Sequence, residues 1–156
     1  MTGFGSNASE PDLHGTALAL MFLNQTVTTR TVAFSYQIQS PRRLLLARPT
    51  GPVDAVSFVR AREAVLADDR YQSDFDQLWD LRGIAGLRID RDAVRELAQL
   101  PEPENGKRWA IVADQPAVYG AARLFAALRG AFAEGEELQL FRTLEEARAW
   151  LSSERR

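Results

Sequence analysis

Apolar and polar positions set out a run of short elements along the chain. Phe34, Tyr36 and Ile38 alternate with Ser35, Gln37 and Gln39, the period-two pattern of a half-buried strand. A turn is predicted at Ser40-Pro41-Arg42. The continuous run Leu44–Ala47 then predicts a strand covered on both faces, ended by Pro49 to Pro52. Over residues 53–69, Ala55, Phe58, Val59, Val65 and Leu66 share one helical face. Phe75 to Leu81 predicts a third strand, followed by a loop over 82–86. Asp90 is placed to cap a helix with Val94, Leu97 and Ala98 inward, stopped by Pro101 and Pro103.

Trp109-Ala110-Ile111-Val112-Ala113 predicts a buried strand ending at Asp114, which is expected to cap the next helix. Pro116 suits that helix's first turn, where its missing N–H costs little. The helix presents Val118, Ala121, Phe125, Leu128 and Phe132 to one side. Leu138, Leu140 and Phe141 form the last strand, and Thr143 and Glu146 have capping-box spacing before a helix carrying Ala147, Trp150 and Leu151. Residues 1–33 show no sustained period and are expected to form a tail, leaving one domain over 34–153.

The order β-β-α-β-α-β-α-β-α predicts an α/β fold, an open and mostly parallel sheet with one antiparallel edge strand. Right-handed crossovers stepping in one direction would put every helix on one face. The other face would then need a cover, for which the apolar run Ala17–Leu23, a partner subunit or an apolar ligand are candidates.

Composition narrows the chemistry. The 156 residues carry 19 basic and 21 acidic side chains, a net charge of −2 that argues against a nucleic-acid-binding protein. The absence of cysteine excludes disulfides and thiolate chemistry, and His14 is the one histidine. Lys107 is the one lysine. The longest apolar run, Ala17–Leu23, is far short of the ~18–20 residues that span a bilayer. Residues 1–16 hold Glu10 and Asp12 but no basic residue, unlike a secretory signal. No integral membrane segment is therefore expected, and the chain reads as cytoplasmic.

Polar candidates gather at the carboxyl ends of the strands, where open α/β sheets bind ligands: Asp80, Arg82, Asp90, Asp114 and Arg123. An Asp80–Arg123 or Asp114–Arg82 ion pair is the plain structural alternative. No spacing resembles a metal loop, a phosphate loop or a nucleophile with its base, so no metal, cofactor or catalytic residue is assigned.

Three strings carry a resemblance: Asp80-Leu81-Arg82-Gly83-Ile84, Tyr119-Gly120-Ala121-Ala122-Arg123, and the closing stretch from Phe141 to Leu151. In this order they resemble the SpoIIAA-like family of the STAS superfamily, whose fold is related to the Sec14 lipid-transfer domain; the resemblance covers roughly residues 34–152. It implies a non-catalytic regulatory module that binds a protein partner, as antagonists of anti-sigma factors do. Those relatives carry Asp-Leu-Ser-Gly and then Asp-Ser-Ser-Gly-Leu, with the second serine phosphorylated. Here Arg82 departs from the first string, and Asp90-Arg91-Asp92-Ala93-Val94 sets Asp92 against the phosphorylated serine, after a loop two residues longer. Neither serine is present.

The resemblance therefore implies a partner surface at Asp80, Arg82, Asp90 and Asp92. On this alignment Asp92 supplies a fixed negative charge; alternatively, Asp90 and Asp92 simply cap and polarise a helix start. The Sec14-related fold and the open sheet face imply a second function, a carrier of a small apolar ligand, with Trp109, Tyr119, Gly120 and Phe125 lining its pocket. The same aromatic residues also fit an ordinary core, and Gly120 also fits close helix–sheet packing.

Overall fold

The computed structural model describes residues 25–29, 32–101, 107–132 and 135–154. The strands are β1 (Gln25–Thr29), β2 (Val32–Gln39), β3 (Leu44–Asp54), β4 (Asp76–Asp80), β5 (Ile84–Arg88), β6 (Arg108–Val112) and β7 (Glu137–Phe141). The helices are α1 (Ala55–Leu66), α2 (Arg91–Gln99), α3 (Pro116–Arg129) and α4 (Leu144–Ser152). The sheet runs β1-β2-β3-β4-β6-β7, with β5 paired to β3. β1–β2 and β2–β3 are antiparallel, and the remaining pairs are parallel.

The predicted order of a hairpin followed by βα units is present, with three differences at strand level. Within the stretch expected as a tail, 25–29 form a strand and β2 starts at Val32; the Thr- and Val-rich sequence of β1 suits extended backbone without any apolar alternation. The rest of that stretch, with His14 and the Ala17–Leu23 run, lies outside the described residues, as does Pro103. Second, β3 does not stop at Pro49 but continues to Asp54. It changes partner there from β4 to β5, with a register irregularity between Gly51 and Pro52 that accommodates a residue unable to donate to a ladder. Third, the loop expected over 82–86 holds the start of β5. The turn before it lies so close to β3 that a Cβ on Gly83 would meet Thr50 Cγ2 at 3.0 Å and the Pro49 carbonyl at 3.2 Å.

Helix boundaries follow local chemistry. Asp54 and Ser57 form a reciprocal cap at the start of α1, Asp90 accepts from the Ala93 amide at 2.8 Å, and Thr143 accepts from Glu146 N–H. Asp114 does not cap α3; the N-cap is Gln115, whose side-chain amide instead donates to the Ile84 carbonyl at 2.7 Å.

The helices do not all share a face. α1, α2 and α3 cover the front, over Phe34, Tyr36, Leu45, Trp79, Trp109 and Ile111. α4 crosses the back, where Ala147, Trp150 and Leu151 pack on Leu46, Leu78, Ala110 and Val112. The crossover rule does not constrain α4, because no strand follows it. Arg108 secures it, donating to the carbonyls of Trp150 (3.0 Å) and Ser153 (2.7 Å) while its guanidinium lies over the Trp150 ring. On β2 the back face carries Ser35, Gln37 and Gln39, which tolerate water. The apolar back of the central strands thus has its cover within the chain. Among the described residues no helix is long and apolar enough to cross a membrane.

Candidate functional site

The strand-end edge does not form one surface. Asp80, 7% exposed at the end of β4, is held by Arg82 through Nε–Oδ1 and Nη2–Oδ2 bonds of 2.8 Å each, a bidentate pairing. Arg82 beside it holds its carboxyl below the usual carboxylate range, although burial opposes the shift. Arg48 Nε lies 3.8 Å away on β3. Of the two expected ion pairs, Asp80–Arg123 and Asp114–Arg82, neither forms; Arg82 pairs with Asp80, two residues before it. Asp90 and Asp92 lie beyond β5, whose five residues rise about 3.3 Å each. The Asp90 carboxylate is occupied as a cap. Asp92 has 86% of its side chain exposed and a 3.4 Å contact to Arg95. Among the described residues, no group of three or more carboxylate, histidine or cysteine side chains is placed to hold a metal.

The four residues expected to line an apolar pocket also separate. Trp109 and Phe125 line a cavity of about 110 Å³ between the front of the sheet and α1, α2 and α3. Tyr119 and Gly120 do not. Tyr119 carries the Arg142 guanidinium over its ring, 3.5 Å from the centroid. Gly120 is exposed, and a Cβ there would meet nothing within 4 Å, so neither a ligand nor close packing requires a glycine. The inward face of α3 is Val118, Ala122 and Phe125; Tyr119 is half-buried and packs against the same core without lining the cavity, and Gly120 is exposed.

Aromatic rings dominate the cavity. Phe58 on α1 stacks on Trp79 at 5.8 Å, Trp79 meets Trp109 at 5.9 Å, and Trp109 meets Phe125 edge-on at 5.5 Å, separations favourable for ring pairs. Leu97 and Leu100 close the side toward α2, and both also belong to a shallow groove between α1 and α2. The void arises there because α2 packs mainly on α3 and touches α1 at few points. Apolar cavities of ~150 Å³ take up benzene, so this one is scaled to a single small ring or a short chain.

Four polar side chains reach the wall: Arg62, Tyr71, Gln77 and Arg129. Gln77, 3% exposed, donates to Tyr71 Oη at 3.0 Å and accepts from Trp79 Nε1 at 2.8 Å. Arg129 pairs with Glu136 through Nε and Nη2 (3.1 and 3.2 Å), and its Nη1 donates to the carbonyls of Ala98 and Leu100 at the end of α2. Arg62 donates to the Pro101 carbonyl. The two arginines thus fasten the C-terminal end of α2 from either side. Sequence reading missed Phe58, Gln77, Leu97 and Arg129 as wall residues. Gln77 carried a signal, as the uncharged polar residue two positions from Trp79 and so on the same strand face; Arg129 carried none, since its burial depends on α2.

No family model matches the chain, and no curated protein matches it. In fold it is similar to the crystal structure of an uncharacterized protein of the DUF3478 family, with a SpoIIAA-like fold, from Shewanella loihica PV-4, at 20% sequence identity over 80% of this chain and 97% of that one, with a TM-score of 0.47.

Proposed function

We propose that the chain is a non-catalytic binding module whose ligand is a small apolar molecule held between the sheet and α1–α3. The observation that carries this reading is the aromatic-walled cavity of about 110 Å³, an apolar concavity with few polar groups, as small-molecule sites are. A void in a core costs stability, and a ligand of matching shape recovers it. The non-catalytic part is supported by how the carboxylates are used: Asp80 is matched by Arg82, and Asp54 and Asp90 cap helices.

A protein partner is the second reading, and it rests on Asp92, which projects into solvent from α2, the helix that also walls the cavity. The discriminating experiment is native mass spectrometry of the protein purified gently from its own host. An added mass of one small molecule is expected. A bare mass, or one raised by a whole protein, counts against the carrier and, in the second case, favours the partner.

A further inference from the structure

We infer that the ligand carries a hydrogen-bond acceptor, a neutral carbonyl or ether oxygen, received by the indole N–H of Trp109. This rests on the cavity reading above and narrows it to a chemical class. Trp109 is 6% exposed and lines the cavity. Its Nε1 is buried and has no hydrogen-bond partner. The neighbouring ring, Trp79, makes the contrast, since its Nε1 donates to Gln77 Oε1 at 2.8 Å. Both indoles lie on the same face of adjacent strands with centroids 5.9 Å apart, and one is satisfied while the other is not. Buried tryptophan N–H groups ordinarily find a partner, because an unmet buried donor loses its hydration for nothing.

The other polar groups of the wall point to the same class. Gln77 is engaged by Trp79 and Tyr71, and Arg129 has its charge matched by Glu136 and its remaining donors directed to the end of α2. Arg62, the other wall cation, donates to the Pro101 carbonyl; a neutral oxygen needs only the indole and leaves both arginines with the partners they hold. An apolar ring or short chain with one ketone, ester or ether oxygen meets both the aromatic wall and the orphan donor.

The test uses two probes with the same ring and the same count of heavy atoms, cyclohexanone and methylenecyclohexane, titrated into the full chain and followed by ¹H–¹⁵N NMR of its three indole N–H groups. Binding of each probe is read from shifts of the Leu and Val methyl groups of the cavity wall. The expected result is that both bind, that cyclohexanone alone moves the Trp109 indole proton downfield, and that Trp150, on the back of the sheet, stays unchanged. In Trp109→Phe the ketone-to-alkene affinity ratio should fall about tenfold; if that variant does not fold, the wild-type indole shift decides alone. If both probes bind but the Trp109 proton does not respond to the ketone, or if it already lies at a hydrogen-bonded position with a cross-peak to water, the acceptor inference is overturned and the cavity reading stands. If neither probe binds, the cavity reading fails and this inference falls with it.

Discussion

Tyr36 and Asp68 are joined across the front of the sheet, the phenol of β2 donating to Asp68 Oδ2 at 3.0 Å just past the end of α1. Arg70 completes the cluster, with Nε and Nη2 on the same carboxylate at 2.9 and 2.6 Å. Burial, followed by Asp68, pushes the Tyr36 phenol up to about 12, while hydrogen bonding from Arg70 brings Asp68 down to about 2. The two groups therefore act at opposite ends of the pH range. Asp68 has a depressed value, so its contribution is full above 3.8 and is lost as pH falls toward 2. Tyr36 has a raised value, so its contribution is full below 10.0 and is lost as pH rises toward 12. Urea unfolding as a function of pH should show both arms. Tyr36→Phe should lower stability near neutrality by about 1 kcal/mol and flatten the alkaline arm; an unchanged alkaline arm would mean that the bond does not form.

Asp80 and Arg82 give a different expectation. Arg82→Ala leaves a buried carboxylate with Arg48 Nε, 3.8 Å away, as its remaining charge partner. Removing one partner of a buried polar pair costs about 1–3 kcal/mol. The wild-type contribution is present above the usual carboxylate value and is lost on acidification, because the Asp80 value is lowered. The difference between Arg82→Ala and wild type, read from denaturation midpoints at neutral pH and near pH 3, should shrink at the lower pH. A pH-independent difference would contradict the pairing.

At the start of α2, two carboxylates two residues apart should behave unlike one another. Asp90→Ala removes a cap and should cost about 1 kcal/mol. Asp92→Ala removes an exposed side chain and should change stability by less than about 0.5 kcal/mol. Thermal denaturation of the two variants checks this directly.

Much of the architecture was legible because it is local. The run Trp109–Ala113, the caps Asp90 and Thr143, and Pro116 in a first helical turn each declare their element without reference to the rest of the chain. What escaped depends on distant partners. The strand Ile84–Arg88 is short, holds a glycine and is recognisable only through its ladder to β3. Pro49 and Pro52 read as a strand end, yet β3 runs through them because it changes neighbours there. The face taken by α4 follows from the sheet it packs on, which its own apolar stripe does not specify. At the site, Trp109 and Phe125 were legible as large apolar residues on inward faces, whereas the cavity itself comes from how α1 and α2 splay. Tyr119 was read as an aromatic that fits a core or a pocket, and Gly120 as a helix glycine that opens room or allows packing; Tyr119 packs on the core without lining the cavity, and Gly120 is exposed. The expected surface over Asp80, Arg82, Asp90 and Asp92 divided because β5 stands between its halves.

Ala122 faces the cavity from α3 and is 6% exposed. In a filled core, replacing it with leucine would overpack the site and cost about 1–3 kcal/mol. Here the added carbons enter a void, so Ala122→Leu should leave the unfolding free energy unchanged or raise it, as chemical denaturation will report. A loss of that size would show the space to be absent.

The central claim, that the cavity receives a small apolar ligand, is tested most directly by measuring unfolding free energy against methylenecyclohexane concentration for wild type and Ala122→Leu. A ligand bound only by the native state stabilises it by RT ln(1 + [L]/Kd), about 2.7 kcal/mol at a hundred times Kd. Wild type should gain stability along this curve, and Ala122→Leu should stay flat. Flat curves for both proteins up to the probe's aqueous saturation, or an equal rise in both, would contradict the account.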